Sequence, residues 1–257
     1  MNKKITVMLI ITILIVGTIA LSKYMESLIP IQQYTQAAFD EKNKPIILWD
    51  IHGVIMKKDV PLIIKSILFF ERKWEMIQTL SFGLCWDLLP VTVNALLKGS
   101  TGESFFVIAQ KHDNNALAEL VARVANAQDF ITGTADIIKE LHAHGYTQHI
   151  GSNIGTQIFE HFISKPNIKP LFNETYFDFA HSHIVTYDAN NPKTTIEKPK
   201  KIFFETYLHK NMLHANQVIF IDDNRKNVAT AQQLGMYALL FTDAAQLRAD
   251  LWSLLGL

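Results

Sequence analysis

Four short stretches of this chain carry the residue types of a phosphoryl-handling centre. Asp50 closes the apolar run "PIILWD" (45–50) and a glycine turn follows at once. Ser152 and Asn153 follow "YTQHIG", Lys198 stands directly before Pro199 and a helical pattern, and Asp222 and Asp223 close "QVIFIDD" (217–223). A carboxylate is a competent nucleophile toward phosphorus and forms an aspartyl-phosphate. A small hydroxyl and a lysine can hold the equatorial oxygens and offset charge that develops there. Paired carboxylates beside the nucleophile make a hard-oxygen site suited to Mg²⁺, which offsets the repulsion between an anionic nucleophile and an anionic phosphate. Each residue also has a plainer reading: Asp222 and Asp223 suit the N-terminus of a following helix, Ser152 suits a turn, and Lys198 competes with its neighbours Lys200 and Lys201 as surface charge.

Such groups work together only if the fold delivers them to one place. "PIILWD" has the length and composition of a buried parallel strand. "TADIIKELHAHG" (134–145) sets Ile137, Ile138 and Leu141 on one helical face, with Gly145 as a C-terminal stop. "YTQHIGSN" (146–153) reads as the next strand, and "GTQIFEHFIS" (155–164) as an amphipathic helix with Ile158, Phe159, Phe162 and Ile163 inward. Pro199 suits the first position of a helix on which Ile202, Phe203 and Tyr207 recur at helical spacing. After the strand ending at Asp223 come a helix (224–235) and a closing strand, "YALLF" (237–241). Alternating strands and helices predict a doubly wound parallel, Rossmann-like α/β sheet. Ligands of such sheets bind beyond the carboxyl ends of the strands, which is where Asp50, Ser152, Asp222 and Asp223 fall. Residues 57–129 break the rhythm and read as helices at 61–80, 86–98 and 114–127, a helical insertion after the first strand.

Composition narrows the classes. Apolar residues make up 49% of 257, enough for a sizeable core, and Lys+Arg and Asp+Glu are both 24. That balance carries no electrostatic footprint for nucleic acid. The single cysteine, Cys85, excludes internal disulfides and thiolate zinc clusters. In "FAHSHIV" the spacing of His181 and His183 sets both imidazoles on one strand face, with no third ligand apparent in the sequence. At the N-terminus, Lys3 and Lys4 precede an uncharged stretch at 5–21. As a helix it rises about 26 Å at ~1.5 Å per residue, near the ~30 Å of a hydrocarbon core. Residues 1–22 therefore read as a single-pass membrane anchor, with the remaining domain outside the cytoplasm because the lysines stay inside. Ala20-Leu21-Ser22 also suits a cleavage site, so the alternative is a secreted or periplasmic protein. Residues 23–44 read as a linker.

The order D-x-x-G-V from Asp50, "GSN" (151–153), "EKP…IFFE" (197–205) and "VIFIDDNRKNVATAQQLGM" (218–236) resembles the haloacid dehalogenase-like hydrolase superfamily. The resemblance covers residues 45–56 and about 130–242, including "ITGTADIIKELHAHGY" (131–146) before the second motif. It implies a Mg²⁺-dependent phosphohydrolase or phosphotransferase acting on a small phosphorylated substrate through an aspartyl-phosphate. Carried over by position, Asp50 is the nucleophile, Ser152 and Asn153 bind substrate, and Lys198 is the motif-three lysine. Asp50, Asp222, Asp223 and the backbone carbonyl of His52 face the metal. The resemblance further implies a catalytic core at 45–56 and 130–257 and a substrate-selecting helical cap at 57–129. The departure is His52, where family phosphatases carry an Asp that protonates the leaving group and then activates water. Imidazole can do both, with an unperturbed pKa of about 6.5. Two other readings follow from the departure: a catalytically retired protein that keeps a phosphate-ligand pocket, and a metal-independent 2-haloacid dehalogenase-type hydrolase, against which the intact Asp222-Asp223 pair stands.

Overall fold

Apolar runs covered on both faces become the central strands. The computed structural model describes residues 21–40, 42–58, 60–79, 81–88, 108–125, 127–185 and 195–257. Strands β1 (Ile46–Trp49), β4 (Gln148–Gly155), β5 (His183–Val185), β6 (Val218–Asp222) and β7 (Tyr237–Leu240) form a five-stranded sheet in the order β5-β4-β1-β6-β7. Its four pairings are all parallel, and helices α7 (Thr134–Ala143), α8 (Thr156–Ile163), α9 (Lys201–Lys210), α10 (Arg225–Gln233) and α11 (Ala244–Leu255) connect and flank the strands. This is the doubly wound α/β architecture the alternation predicts. Register decides where the chemistry goes. Trp49 lies opposite Ile150 on one side and Ile221 on the other. Asp50 and Asp222, the next residues of their strands, and Ser152, two residues after Ile150, therefore emerge at the same edge.

Successive strand residues face opposite ways, and the core divides accordingly. Trp49, Ile47, Ile219 and Ile221 pack against Ile137, Ile138, Leu141 and Leu251. Leu48, Val218 and Phe220 pack on the other face against Phe203, Phe204, Tyr207 and Val228. Full burial of each such side chain contributes about 1.5–3 kcal/mol. Trp49 Nε1 donates to Gln148 Oε1 at 3.0 Å, and Gln148 Nε2 donates to the Ile138 carbonyl at 3.0 Å. The tryptophan preceding Asp50 is thus fixed by both packing and a satisfied polar chain.

The insertion is helical in its described parts: α2 (Val60–Leu68), α3 (Lys73–Gln78), α4 (82–88), α5 (108–111) and α6 (Asn115–Ala125). The single helix predicted at 61–80 is divided between α2 and α3, and most of the helix predicted at 86–98 lies outside the described residues. Leu84 and Ile108 form a small separate core with Leu88 and Leu117. An antiparallel pair at the base, β2 (Met56–Lys58) with β3 (Gln128–Phe130), aligns Met56 with Phe130. Three residues each are too few to show a period-two pattern, so neither strand is visible in the sequence, and the same holds for β5.

The expectation of a membrane-anchored protein is corrected by the fold. Among the described residues no helix is long and apolar enough to cross a membrane. Residues 1–20 lie outside the described residues. Residues 21–27, the first described, are helical (α1) and carry Lys23 and Glu26. The stretch after α1, read as linker, lies along the domain. Ala38 N–H donates to the Leu254 carbonyl at 2.9 Å, and Phe39 is buried with its ring 4.8 Å from that of Tyr237. The Tyr34 hydroxyl accepts from Ala238 N–H of β7 at 3.2 Å, satisfying a donor that an edge strand would otherwise present to solvent.

Candidate active site

The ladder between β1 and β6 runs one residue past β1, where Asp50 N–H donates to the Ile221 carbonyl at 2.9 Å. The chain then turns sharply: Gly53 has φ +82° and its N–H donates to the Met56 carbonyl at 2.7 Å. Asp50 Oδ1 accepts from Ile51 N–H at 2.8 Å and faces Lys198 Nζ at 3.0 Å. Its other oxygen has no protein donor among the described residues, so it is available to a ligand.

Lys198 reaches the cleft from the loop before α9. Its ammonium also donates to Asp222 Oδ2 at 2.7 Å and to the Gly151 carbonyl at 2.9 Å, and the side chain is 1% exposed. Three acceptors match the three N–H groups of a lysine. Gly151 leaves room for the Leu48 side chain of β1, from which a Cβ there would lie 2.8 Å. The Asn153 side-chain amide holds the lysine's backbone: Nδ2 donates to the Lys198 carbonyl at 2.9 Å and Oδ1 accepts from Lys198 N–H at 2.8 Å. It positions Lys198.

The structure separates the two neighbouring acids. Asp222 is fully buried and accepts from Asn224 N–H at 2.8 Å and from Asn227 Nδ2 at 2.9 and 3.0 Å, besides Lys198. Its oxygens are occupied. Asp223 receives none of these donors and stands exposed, its carboxylate over Gly53. Capping of α10 falls to Asn224, whose side chain accepts from the N–H groups of Lys226 and Asn227, so neither acid is needed there. No motif in the sequence marks Asn227. A polar residue beside Val228 in the inward stripe of the helix was the available signal.

Among the described residues, Ser152 Oγ is buried without a hydrogen-bond partner. A buried hydroxyl left unpaired costs about 1–3 kcal/mol, a cost removed by a ligand that accepts from it. His52 is half-buried, and its Nε2 lies 2.9 Å from Gln128 Nε2 of β3. A neutral ring that accepts from that amide carries its proton on Nδ1. Gln128 was not singled out in the sequence because it lies 76 residues from His52.

Ligand oxygens of Asp50, Asp222 and Asp223 lie within 4.8 Å of one another. Burial pushes Asp222 up to about 7, against the pull of Lys198, and Asp50 and Asp223 add repulsion. Asp223 is open to solvent on one side but lies against the protein atoms of the site, and that partial loss of hydration with the Asp50 charge pushes it up to about 6. Lys198, which burial alone would lower, is held up by Asp222 and Asp50. Three carboxylates share one ammonium, a deficit of positive charge that a divalent cation fits. Asp50 and Asp223 have oxygens available to hold one.

Gly53 is the hinge of this arrangement. A Cβ at that position would lie 2.1 Å from Asp223 Oδ2, at a φ that L-residues rarely adopt. Gly53→Ala is therefore expected to displace the Asp223 carboxylate, weakening divalent-cation binding at least about tenfold, with about 1–3 kcal/mol of backbone strain. Calorimetric titration and thermal melts check this; unchanged cation affinity would show that Asp223 does not contribute to it.

Comparison with known proteins places the chain. Residues 92–241 match the family described as haloacid dehalogenase-like hydrolase. A HAD family enzyme from Bacteroides thetaiotaomicron aligns at 17% identity with a TM-score of 0.52, covering 78% of this chain and 95% of that one. The same enzyme in complex with magnesium and inorganic phosphate aligns at 19% identity with a TM-score of 0.47, over 78% and 95% of the two chains. The L-2-haloacid dehalogenase from Xanthobacter autotrophicus aligns at 14% identity with a TM-score of 0.49, over 80% and 81%. At these identities the likeness is one of fold. No curated protein matches the chain.

Proposed function

Because the chain belongs to the haloacid dehalogenase-like hydrolases, we propose that it is a Mg²⁺-dependent phosphohydrolase or phosphotransferase that forms an aspartyl-phosphate on Asp50. The observation that carries this reading is Lys198 Nζ bridging Asp50 Oδ1 and Asp222 Oδ2 at 3.0 and 2.7 Å in the cleft that holds Asp223. A metal-independent dehalogenase gains nothing from such an accumulation of carboxylates.

Asp50 attacks phosphorus with its unengaged oxygen, forming the Asp50 O–P bond as the bond to the leaving oxygen breaks. Lys198 offsets negative charge on Asp50 and on the transferring group. The unpaired Ser152 hydroxyl donates to a non-bridging phosphate oxygen. His52, protonated to imidazolium, gives a ring proton to the leaving oxygen and, left neutral, takes one from the water that then cleaves the aspartyl-phosphate. Gln128 steadies that ring. Asp223, the His52 carbonyl and the Asp50 oxygen that does not attack would hold Mg²⁺, which would supply charge to offset the repulsion between carboxylate and phosphate. Substrate selection is assigned to the insertion at 57–129, whose base touches the site through the Gln128–His52 contact.

Phosphate release from an aryl phosphate and a panel of small phosphorylated metabolites, with and without Mg²⁺, tests the reading. Mg²⁺-dependent release is expected. Binding of Mg²⁺ and of a phosphate analogue with no turnover on any substrate would favour the retired-pocket alternative, and release indifferent to Mg²⁺ would contradict the proposal.

The carboxylate shifts give a further expected result. Raised folded-state values for Asp222 and Asp223, about 7 and about 6, mean that the folded protein binds more protons than the unfolded chain between about pH 4 and 7. Their contribution to stability therefore falls as pH rises through that window, and bound Mg²⁺ offsets the loss. The rise in Tm on adding Mg²⁺ is expected to be small at pH 5 and several-fold larger at pH 8; equal shifts at the two values would count against binding at this cluster.

A further inference from the structure

A second set of metal-ligating side chains lies outside the cleft. His149 is the second residue of β4, three residues before Ser152 and so about 10 Å from it along the strand. It is buried, and its Nδ1 is 2.8 Å from the Tyr207 hydroxyl of α9, leaving Nε2 as the nitrogen for another partner. Residues 178–182, the segment leading into β5, bring two more groups to it. The His181 ring lies 5.8 Å from that of His149, 18° from parallel, and its Nδ1 is 2.7 Å from Asp178 Oδ2. One ligand atom from each of His149, Asp178 and His181 lies within 4.8 Å of the other two.

The segment is braced from outside the cluster. Asp178 N–H donates to the Gln148 carbonyl at 2.8 Å, Lys210 Nζ donates to the carbonyls of Ala180 and Ser182, and Asn211 Nδ2 donates to that of His181 at 2.9 Å. His183, two residues from His181, has its ring against Phe203 at 4.6 Å. The imidazoles that meet are thus His149 and His181, joined by the fold and not by the spacing in "FAHSHIV".

We propose that His149, Asp178 and His181 form a second metal site that takes one borderline divalent cation of the Zn²⁺ class and clips residues 178–182 to β4. Two imidazoles and one carboxylate are a donor set for Zn²⁺, Co²⁺ or Ni²⁺, whereas Mg²⁺ prefers the all-oxygen cleft. Tetrahedral ligands at about 2.0–2.2 Å from the ion sit about 3.3 Å apart, so the set closes by a small movement. His181 and Asp178 are the partners free to make it, with side chains 55% and 38% exposed, while His149 stays fixed between strand and helix. Tyr207 on one imidazole serves as the outer partner that orients a metal-binding histidine. The Lys210 ammonium opposes the ion and sets a ceiling on affinity.

The test is a titration of the full chain, saturated with Mg²⁺ so that the cleft carboxylates are occupied, with Co²⁺ as an optical probe. One equivalent of Co²⁺ is expected to bind with a visible absorption band, and Zn²⁺ is expected to displace it. His181→Ala and Asp178→Asn each lie on the exposed side of the cluster and are expected to weaken binding at least about tenfold, while His142→Ala leaves it unchanged. Absence of saturable Co²⁺ binding, or an affinity in His181→Ala equal to that of the unaltered chain, would overturn the site. So would loss of the band in Asp223→Asn with His181 intact, which would assign the ion to the cleft. None of these readouts depends on phosphate release.

Discussion

Asp50→Asn is expected to lower phosphate release by about 10⁴-fold or more, in line with removal of a nucleophile in other hydrolases, while the protein stays folded. The amide has the shape of the carboxylate but neither its charge nor its nucleophilicity, so the Asp50 O–P bond does not form. Structure is preserved because Lys198 retains Asp222 and the Gly151 carbonyl as acceptors. Repulsion also falls, since the Asp50 charge helps raise both Asp222 and Asp223. Without Mg²⁺ the variant should melt no lower than the unaltered protein. Steady-state kinetics and thermal melts on the same preparation separate the two effects, and activity within tenfold of the unaltered chain would remove Asp50 from the nucleophile's role.

The second large effect concerns stability. Lys198→Met keeps the length and apolar stem of the side chain but leaves Asp222 fully buried without its counter-charge. Breaking a buried pair from one side costs about 3–5 kcal/mol, and at about 2–4 °C per kcal/mol for a protein near this size Tm should fall by about 6–20 °C. The pH dependence identifies the cause. Burial already pushes Asp222 up to about 7 against Lys198; without the ammonium the carboxyl rises further and takes up a proton on folding. The folded variant then binds a proton that the unfolded chain has released, so the loss is expected to be larger at pH 8 than at pH 5.5. Urea unfolding at the two values measures this. A loss under about 1 kcal/mol, or one independent of pH, would mean that Asp222 is held by Asn224 and Asn227 alone.

What the sequence displays and what it conceals follow from how local each signal is. "PIILWD" and "QVIFIDD" are buried on both faces and end in carboxylates, so the strands and the edge they share can be read directly. The parallel register that aligns Trp49 with Ile150 and Ile221 then makes the meeting of Asp50, Ser152 and Asp222 a consequence of fold class. Non-local and very short features are concealed. Strands β2, β3 and β5 have three residues each, and the Gln128 contact to His52 depends on β3 returning to β2. Tyr34 and Phe39 stand singly in a polar stretch, so nothing local marks the segment as packed on β7 and α11. The apolar run at 5–21 carries a strong local signal for an anchor but lies, except for Leu21, outside the described residues, among which no helix is long and apolar enough to cross a membrane. Within the site, Asp50 and Lys198 are marked by motif, whereas the positioning of Lys198 by Asn153 and of Asp222 by Asn227 emerges only from geometry.

The most direct measurement is a single-turnover reaction with a competent phosphorylated substrate and Mg²⁺, acid-quenched on the millisecond scale and digested for mass spectrometry. A phosphoryl group on the peptide containing Asp50, rising and then decaying as phosphate appears, is the expected result. Phosphate released at full rate with Asp50 unmodified at every time point would contradict covalent catalysis by this residue.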